Sequence, residues 1–251
     1  MDTGLDQRTV LVTGSSSGIG RETALAFGQE GANVGITYYS NEEGAKQTAS
    51  LVEDAGGEAL TLQYDLGDSD SIHAAVERVV EEWGSINVLV NNAVEHNPGE
   101  TPKFEDVPRE EWRQTLRTTQ EGYYETIQAV LSSMRSADFG RIVSISSNTA
   151  EIGTPGMGPY AMSKASLHGL SNVLSVELAD AGILSNIVMP GLTLTEQNRD
   201  EIPPKVQDQE AEQTPTGRLT TADEVASMIV YLGSQANGHV NGEIVRVTGG
   251  R

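Results

Sequence analysis

The sequence has no cysteine and very little lysine. The absence of cysteine from all 251 residues excludes disulfides, thiolate metal sites and a cysteine nucleophile. Lysine occurs only four times among the 16 basic residues, which are opposed by 36 acidic residues and leave a net charge of -20. This excess of negative charge argues against partners that present a phosphate backbone, so we expect no binding to nucleic acid.

Long apolar runs are also absent. No stretch of about 18 apolar residues occurs, so we expect no transmembrane helix and no membrane partner. The N-terminus, MDTGLDQRTVLV, is acidic and leads directly into a predicted strand, whereas a signal peptide would begin with basic residues. The mean hydropathy of -0.32 is typical of a soluble globular protein, and we expect a cytoplasmic location.

The carboxylates are spread along the chain rather than grouped in one block. A chain that repels itself this strongly is destabilised at low salt and relieved by screening. The acid excess with so little lysine resembles the cytoplasmic proteins of salt-accumulating haloarchaea. An ordinary acidic mesophilic protein is the alternative, but the low lysine content favours a halophilic protein.

Apolar runs typical of strands alternate with segments of helical periodicity along the chain. The predicted strands cover residues 8–14, 32–39, 58–66, 86–93, 140–147, 183–191 and 242–250, and the predicted helices cover 22–31, 42–57, 70–84, 109–134, 159–181 and 221–234. Nearly all-apolar strands separated by helices predict a parallel sheet covered on both faces. We therefore expect one doubly wound α/β domain over residues 1–251 with a seven-stranded parallel sheet. We interpret residues 192–220, which show no such pattern, as an irregular lid or binding loop.

A glycine-rich turn, TGSSSGIG at residues 13–20, follows the first predicted strand and opens a helix. Glycines at positions 14, 18 and 20 permit a tight turn and a close approach of the backbone to a pyrophosphate, which then faces the helix N-terminus. An ordinary strand–helix loop is the alternative. The place of the turn in a first βαβ unit favours a dinucleotide site, and its candidate residues are Gly14, Ser16, Ser17, Gly18, Ile19 and Gly20.

Polar residues end the third and fourth predicted strands, at the edge where parallel sheets bind ligands. Asp65 in YDL can accept a hydrogen bond from an adenine amino group, and Leu66 follows it in the candidate site. NNA, residues 91–93, ends the fourth strand. Asn92 and Ala93 are candidates for cofactor contact, whereas Asn91 is interpreted equally well as a structural loop residue.

The stretch GPYAMSKAS, residues 158–166, places Tyr160 and Lys164 one helical turn apart. Residues at i and i+4 are neighbours on a helix face. One interpretation is a surface pair in which the lysine extends past the ring. The other is a proton donor with a neighbour that tunes its pKa.

Seven short motifs in fixed order resemble the short-chain dehydrogenase/reductase family over essentially the whole chain: TGSSSGIG, YDL, NNA, SISS, YAMSK, SNIVMPG and VTGG. The resemblance implies a single Rossmann domain, NAD or NADP as cofactor, and a small-molecule carbonyl or alcohol as substrate. It also implies a homotetramer or homodimer in which helices 109–134 and 159–181 pair between subunits. Within the family, the chain most resembles 3-oxoacyl-thioester reductases and members similar to glucose dehydrogenase.

The resemblance assigns three catalytic residues. The family places a serine thirteen positions before its tyrosine, which here is Ser147. Tyr160 then acts as general acid or base in the interconversion of a ketone and a secondary alcohol by hydride transfer. Lys164 favours the phenolate and can bond the nicotinamide ribose, and Ser147 donates a hydrogen bond to the substrate oxygen.

Two motifs depart from the family pattern. In WRQTLRTTQEG, Thr119 occupies the position of an asparagine that holds a water contacting the lysine, which puts the proton relay in doubt. In NNAVEH, Val94 replaces a glycine, and a β-branched residue does not readily adopt a left-handed backbone, so we expect a reshaped loop. His96, after Glu95, is either a substrate contact or an exposed loop residue, and the exposed residue is favoured.

Cofactor choice in the family is set after the second strand, where an acid favours NAD and an arginine favours NADP. Here the sequence is ITYYS, so Tyr38, Tyr39 and Ser40 supply neither group, and Ser17 stands where many NADP enzymes carry a basic residue. Hydroxyls can hold either nucleotide. Without an excluding acid we favour NADP and keep NAD open.

The MPG motif closes the predicted site at the sixth strand. Pro190 and Gly191 are expected to shape the turn beneath the nicotinamide, and Thr193 and Thr195 follow as candidates for its carboxamide, with Thr195 the better match. The alternative is that both threonines cap the next helix.

Three function classes remain open. We favour an NAD(P)-dependent ketone/alcohol oxidoreductase, with a sugar or polyol dehydrogenase as the alternative. A nucleotide-sensing protein that has lost activity is supported only by Thr119. His73, His168 and His239 form no ligand pattern, so we expect no catalytic metal.

Overall fold

The structure is a computed structural model that describes residues 2–94 and 102–251, with Gln197 described by its backbone alone. Its elements in chain order are β1 (Thr9–Val12), α1 (Gly18–Gln29), β2 (Asn33–Tyr38), α2 (Glu42–Asp54), β3 (Glu58–Gln63), α3 (Ser69–Trp83), β4 (Val88–Asn91), α4 (Arg109–Ser136), β5 (Gly140–Ile145), α5 (Thr149–Ile152), α6 (Gly158–Glu177), β6 (Ile183–Pro190), β7 (Thr193–Leu194), α7 (Glu196–Glu201), α8 (Pro204–Gln213), β8 (Thr220–Thr221), α9 (Ala222–Gly233) and β9 (Ile244–Val247). Short 3-10 turns lie at Phe104–Asp106 and Ala179–Ala181.

Seven strands form one parallel sheet in the order β3-β2-β1-β4-β5-β6-β9. The central strand β1 pairs with both β2 and β4, so that Val10 lies opposite Val34 on one side and Val88 on the other. The direction of winding reverses at this point, which places helices on both faces and opens a crevice at the carboxyl ends of β1 and β4. The predicted doubly wound α/β domain with a seven-stranded parallel sheet is confirmed.

Alternate side chains of the central strand point to opposite faces and build two cores. Val10 and Val12 lie in a cluster with Phe27 of α1 and Ile229 of α9. Leu11 lies in a second cluster, which includes buried residues of α3, α4 and α6. All four residues of β1 are buried, as expected for a strand covered on both faces.

Two long helices on the same face of the sheet position the catalytic candidates. α4 has 28 residues and α6 has 20, and the two helices pack against each other. Pro159 lies in the first turn of α6, where its missing N–H would have no intrahelical partner. This start places Tyr160 in the first turn and Lys164 in the second.

The prediction that residues 192–220 form an irregular loop is wrong. This segment contains α7, α8 and a two-stranded parallel sheet of β7 and β8. α7 begins with a capping box at Thr195, and α8 has proline in its first turn. No residue of α8 is buried, so its sequence lacks the apolar stripe that helix prediction depends on.

Several other boundaries differ from the prediction. The helix predicted from residue 22 begins at Gly18, because the glycine-rich turn supplies its first turn. The helix predicted over 159–181 ends at Glu177 and is followed by a 3-10 turn. The last strand stops at Val247, since Gly249 and Gly250 have φ values of 66° and 98° that a strand cannot contain. In the described ranges, no helix is long and apolar enough to cross a bilayer.

Candidate active site

Two glycines of the glycine-rich turn, Gly14 and Gly20, pack too closely against their neighbours to carry a side chain. Gly14 and Gly18 have φ values of 64° and 57°, which favour glycine. A Cβ on Gly20 would lie 2.3 Å from the Gly14 carbonyl oxygen, and one on Gly14 would lie 2.9 Å from the Cα of Ala93. The glycines therefore leave the backbone accessible at the N-terminus of α1, which fits the approach of a pyrophosphate.

The first turn of α1 begins without a side-chain cap in the described residues. Ser17 is the N-cap residue, yet its side chain makes no capping hydrogen bond within the described part of the chain. The first amides of a helix lack intrahelical partners and attract an anion. Ser16 and Ile19 lie on either side of this point, so the turn predicted from sequence has the chemistry that a dinucleotide requires.

Side chains from neighbouring strands fix the turn. Thr37 accepts a hydrogen bond from the Gly14 N–H at 2.8 Å, and its own N–H donates to Ser15 Oγ at 3.0 Å. Asn92 Nδ2 donates to the carbonyl oxygens of Thr13 and Gly14 at 2.9 and 3.0 Å. In this structure Asn92 therefore ties the ends of β1 and β4 together, and the Thr37 hydroxyl is engaged by the loop.

The candidates for adenosine contact lie at the ends of β2 and β3. Asp65 Oδ1 accepts a hydrogen bond from the Gly67 N–H at 2.8 Å, and Leu66 is buried. Tyr38 is half-buried against the core, whereas Tyr39 is 68% exposed and Ser40 is also exposed. No acid or arginine stands among the three residues that follow the buried part of β2.

The sequence analysis missed Arg21, which joins the glycine-rich turn to the segment after β6. Its guanidinium donates to the Ser16 carbonyl and to Glu196 of α7, both at 2.8 Å. A Cβ on Gly18 would lie 3.5 Å from Thr195 Cγ2. Thr195 is therefore close to the turn, as expected of a residue that contacts the cofactor.

The MPG motif ends β6 next to the catalytic candidates. Pro190 accepts a hydrogen bond from the Asn148 N–H at 3.0 Å. Thr193 is buried in β7, where its hydroxyl donates to the Gly191 carbonyl at 3.0 Å, so it does not cap a helix. Thr195 does cap α7 through a capping box, so the capping alternative holds for this threonine.

The three catalytic candidates converge beyond the end of β5. The hydroxyl of Ser147 shares a hydrogen bond with Tyr160, and Ser147 Oγ also accepts one from the Thr149 N–H at 3.2 Å. Lys164 Nζ lies 5.9 Å from the centroid of the Tyr160 ring. Because Lys164 is only 2% exposed, the interpretation of a surface pair is wrong.

Burial shifts the pKa values of both groups toward their neutral forms. It raises the pKa of Tyr160 above 10.0, and the hydrogen bond with Ser147 partly opposes this shift. It lowers the pKa of Lys164 from 10.5 to about 7. Polar groups removed from water behave in this way. The phenol therefore holds a proton that it can donate.

Tyr123 of α4 is a second residue that the sequence analysis missed. Lys164 Nζ donates to the Tyr123 hydroxyl at 3.2 Å and to the Ile145 carbonyl at 2.8 Å. The Tyr123 hydroxyl donates in turn to the Ala93 carbonyl at 2.6 Å. The spacing from Thr119 places Tyr123 on the same face of α4, but nothing in the sequence shows that its hydroxyl reaches the lysine.

Two buried polar atoms near the site lack partners. Thr119 is fully buried, and its Oγ1 makes no hydrogen bond within residues 2–94 and 102–251. The same holds for Asn91 Oδ1, although its Nδ2 donates to Ser144 Oγ at 3.4 Å. Thr119 therefore lies inside the protein but makes no described contact with Lys164.

The predicted substrate mouth is only partly described. Glu95 and His96 lie outside the described residues. Val94 does not have a positive φ. In the described ranges, the non-glycine residues with positive φ are Gln7 and Asp138. The described part also contains no group of three or more side chains arranged to hold a metal ion.

Comparison with known proteins decides the family. The family model described as "Enoyl-(Acyl carrier protein) reductase" matches residues 14–251. The chain belongs to the short-chain dehydrogenase/reductase family. It is an NAD(P)-dependent oxidoreductase that interconverts a ketone and a secondary alcohol. The predicted enzyme class is thereby confirmed.

Individual relatives span nearly the whole chain. A (2S)-[(R)-hydroxy(phenyl)methyl]succinyl-CoA dehydrogenase subunit of Thauera aromatica is 34% identical, covering 99% of this chain and 98% of its own. A 3-oxoacyl-[acyl-carrier-protein] reductase of Staphylococcus aureus is 30% identical over 97% of each chain. L-rhamnose 1-dehydrogenase (NAD(P)(+)) of a Sphingomonas strain is 34% identical, over 98% of this chain and 96% of its own. The structure of the reductase LugOII of lugdunomycin biosynthesis has a TM-score of 0.91, with 30% identity over 98% of each chain.

Proposed function

We propose that this short-chain dehydrogenase/reductase is an NADP-dependent 3-oxoacyl-thioester reductase in which Ser147, Tyr160 and Lys164 are the catalytic residues. The contact between the Ser147 and Tyr160 hydroxyls beside the buried Lys164 is the observation that supports it most directly. Two relatives named for thioester substrates support the substrate class.

The proposed cofactor site extends along the carboxyl edge of the sheet. The residues that would hold the dinucleotide are Gly14, Ser16, Ser17, Gly18, Ile19, Gly20, Tyr38, Tyr39, Ser40, Asp65, Leu66, Asn92, Ala93, Tyr160, Lys164, Pro190, Gly191, Thr193 and Thr195. When bound, NADPH supplies the hydride to the carbonyl carbon. The absence of an acid at the end of β2 supports NADP, because no carboxylate there would repel a 2′-phosphate.

In the proposed reduction, Ser147 and Tyr160 donate hydrogen bonds to the carbonyl oxygen of the 3-oxo group. Negative charge develops on that oxygen, and Tyr160 transfers its proton to it as general acid. Lys164 stabilises the phenolate that remains, since a cation nearby favours the charged form of a phenol. In the reverse direction the Tyr160 phenolate removes the proton from the alcohol.

The proposed assembly is a cytoplasmic homotetramer or homodimer in which α4 and α6 pair between subunits. Large apolar side chains on these helices are exposed in the single chain: Tyr124 is 53%, Met162 54%, Val173 50% and Val176 79% exposed. Such exposure on two adjacent helices supports a covered surface. Sedimentation in molar KCl tests this assembly.

Substrate and cofactor panels test the proposal together. We expect acetoacetyl-CoA to be reduced in molar KCl with a higher kcat/KM for NADPH than for NADH. Oxidation of L-rhamnose or glucose, without reduction of the thioester, would instead support the sugar dehydrogenase, which the Sphingomonas relative favours. A strong preference for NADH would contradict the proposed cofactor.

A further inference from the structure

Helix α4 presents two buried polar side chains one turn apart toward the interior. The first, Thr119, occupies the position of the family's asparagine, and its hydroxyl has no hydrogen-bond partner in the described ranges. The second, Tyr123, is fully buried, and its hydroxyl has two partners. The polar contact between α4 and Lys164 therefore comes from Tyr123 rather than from Thr119.

The direction of each hydrogen bond around Tyr123 is fixed by chemistry. The backbone carbonyl of Ala93 can only accept, so the Tyr123 hydroxyl donates to it at 2.6 Å. The hydroxyl oxygen is then left to accept from Lys164 Nζ at 3.2 Å. Since the chain of bonds ends at a carbonyl, it cannot pass protons onward and instead holds the ammonium in place.

We propose that Tyr123 is a positioning residue that holds the ammonium of Lys164 beside Tyr160, in the place of the asparagine that this chain lacks. The inference rests on the proposed roles of Tyr160 and Lys164. Lys164 Nζ lies 5.4 Å from the centroid of the Tyr123 ring and 5.9 Å from that of Tyr160, so the cation is held between the two rings.

The surroundings of Lys164 make this contact important. Burial is the cause of its lowered pKa, and the rings of two titratable side chains, Tyr123 and Tyr160, face its ammonium. Burial also raises the pKa of Tyr123 well above 10.0, so it stays a neutral acceptor. Removing this acceptor disfavours the ammonium, weakens its support of the Tyr160 phenolate and raises the apparent pKa of Tyr160.

The variant Tyr123→Phe tests the inference because it removes only the hydroxyl. We expect the pH profile of alcohol oxidation to shift upward by about one unit, which lowers kcat about tenfold at a pH below the apparent pKa of Tyr160. The cofactor Kd, measured by fluorescence titration, should change less than about threefold. The measurement uses whichever alcohol and cofactor the wild-type enzyme turns over.

Tyr64→Phe is the matched control. Tyr64 is also buried and also contacts α4, through a hydrogen bond of 2.5 Å to Thr126, and in the described residues it has no hydrogen bond with Lys164. We expect this variant to keep the wild-type pH profile. An unshifted profile for Tyr123→Phe, or an equal shift in both variants, would overturn the inference.

Two further measurements make the outcome decisive. Tyr123→Met also removes the hydroxyl and should give the same shift; if neither Tyr123 variant folds while Tyr64→Phe does, the role of Tyr123 is structural and the inference is overturned. Tyr160→Phe separates this inference from the proposed function. If Tyr160→Phe keeps wild-type activity, the proposed roles of Tyr160 and Lys164 are wrong. If Tyr160→Phe is inactive but Tyr123→Phe keeps the wild-type pH profile, only the inference about Tyr123 is wrong.

Discussion

At the scale of single residues, the buried lysine links the proposed catalytic site to stability. Lys164 is fully enclosed in the folded chain, where burial lowers its pKa from 10.5 to about 7. Between these values the unfolded chain binds one more proton at this position than the folded chain does. The free energy of unfolding therefore rises with pH across this window, and below it Lys164 contributes no pH dependence.

We predict that Lys164→Met abolishes part of this pH dependence. Between pH 7 and pH 9 the wild-type protein should gain about 2 kcal/mol of unfolding free energy that the variant does not gain. Denaturant unfolding at both pH values in molar KCl measures the difference. Lys205→Met, at an exposed lysine, is the control and should follow the wild type. Parallel pH curves for wild type and Lys164→Met would contradict the lowered pKa of Lys164 in the folded chain.

Residue-level prediction from the sequence succeeded for positions and failed for contacts. Helical spacing placed Tyr160 and Lys164 together, and the resemblance to the family added Ser147 to them. Spacing did not distinguish Tyr123 from Thr119, because the reach of a hydroxyl depends on how its ring packs between α4, β4 and α6. Arg21 was missed for the same reason: its partner Glu196 is distant in the sequence.

At the scale of elements, the turn between β1 and α1 leaves little room for added side-chain atoms. A Cβ on Gly20 would meet the Gly14 carbonyl at 2.3 Å and Asn92 Nδ2 at 2.7 Å. Both contacts belong to groups that shape the proposed pyrophosphate site. Overpacking of this kind typically costs about 1–3 kcal/mol.

We therefore expect Gly20→Ala to lower the Tm and to raise the cofactor Kd. An overpacking cost on the order of 1–3 kcal/mol corresponds to a rise in Kd of at least about fivefold. Fluorescence titration of NADPH and thermal unfolding measure the two effects. Gly238→Ala is the control, because an added Cβ there would have no described heavy atom within 4 Å. Equal cofactor affinity for Gly20→Ala and the wild type would show that this turn does not hold the cofactor.

The elements that escaped prediction share one physical property. The inner strands β1, β4 and β6 are mostly apolar and almost wholly buried, so their pattern is visible in the sequence. In contrast, α7 and α8 are short and polar, and β7 and β8 have two residues each. Their signals are local caps, such as the Thr195 capping box and Pro204, rather than hydrophobic periodicity.

At the scale of the whole molecule, repulsion among carboxylates dominates the electrostatics. The sequence has 36 acidic and 16 basic residues, whereas seven ion pairs are formed within the described ranges. Most of these pairs are exposed and contribute little. Salt therefore weakens the repulsion among the carboxylates more than it weakens the attraction within the ion pairs.

This balance predicts a halophilic protein. Removing salt should unfold the chain or dissociate its subunits, because the self-repulsion of a net charge of -20 is then unscreened. Circular dichroism and sedimentation in molar KCl and in salt-free buffer measure both changes. An unchanged spectrum and mass without salt would contradict the prediction and favour an ordinary acidic protein.

The most direct test of the proposed function is NADPH oxidation with acetoacetyl-CoA in molar KCl, compared between the wild type and Tyr160→Phe. The account predicts steady turnover by the wild type and a loss of about 100-fold or more in the variant, with NADPH still bound. Tight NADPH binding by the wild type without oxidation, across the ketone panel, would contradict catalysis by Tyr160 and favour a nucleotide sensor.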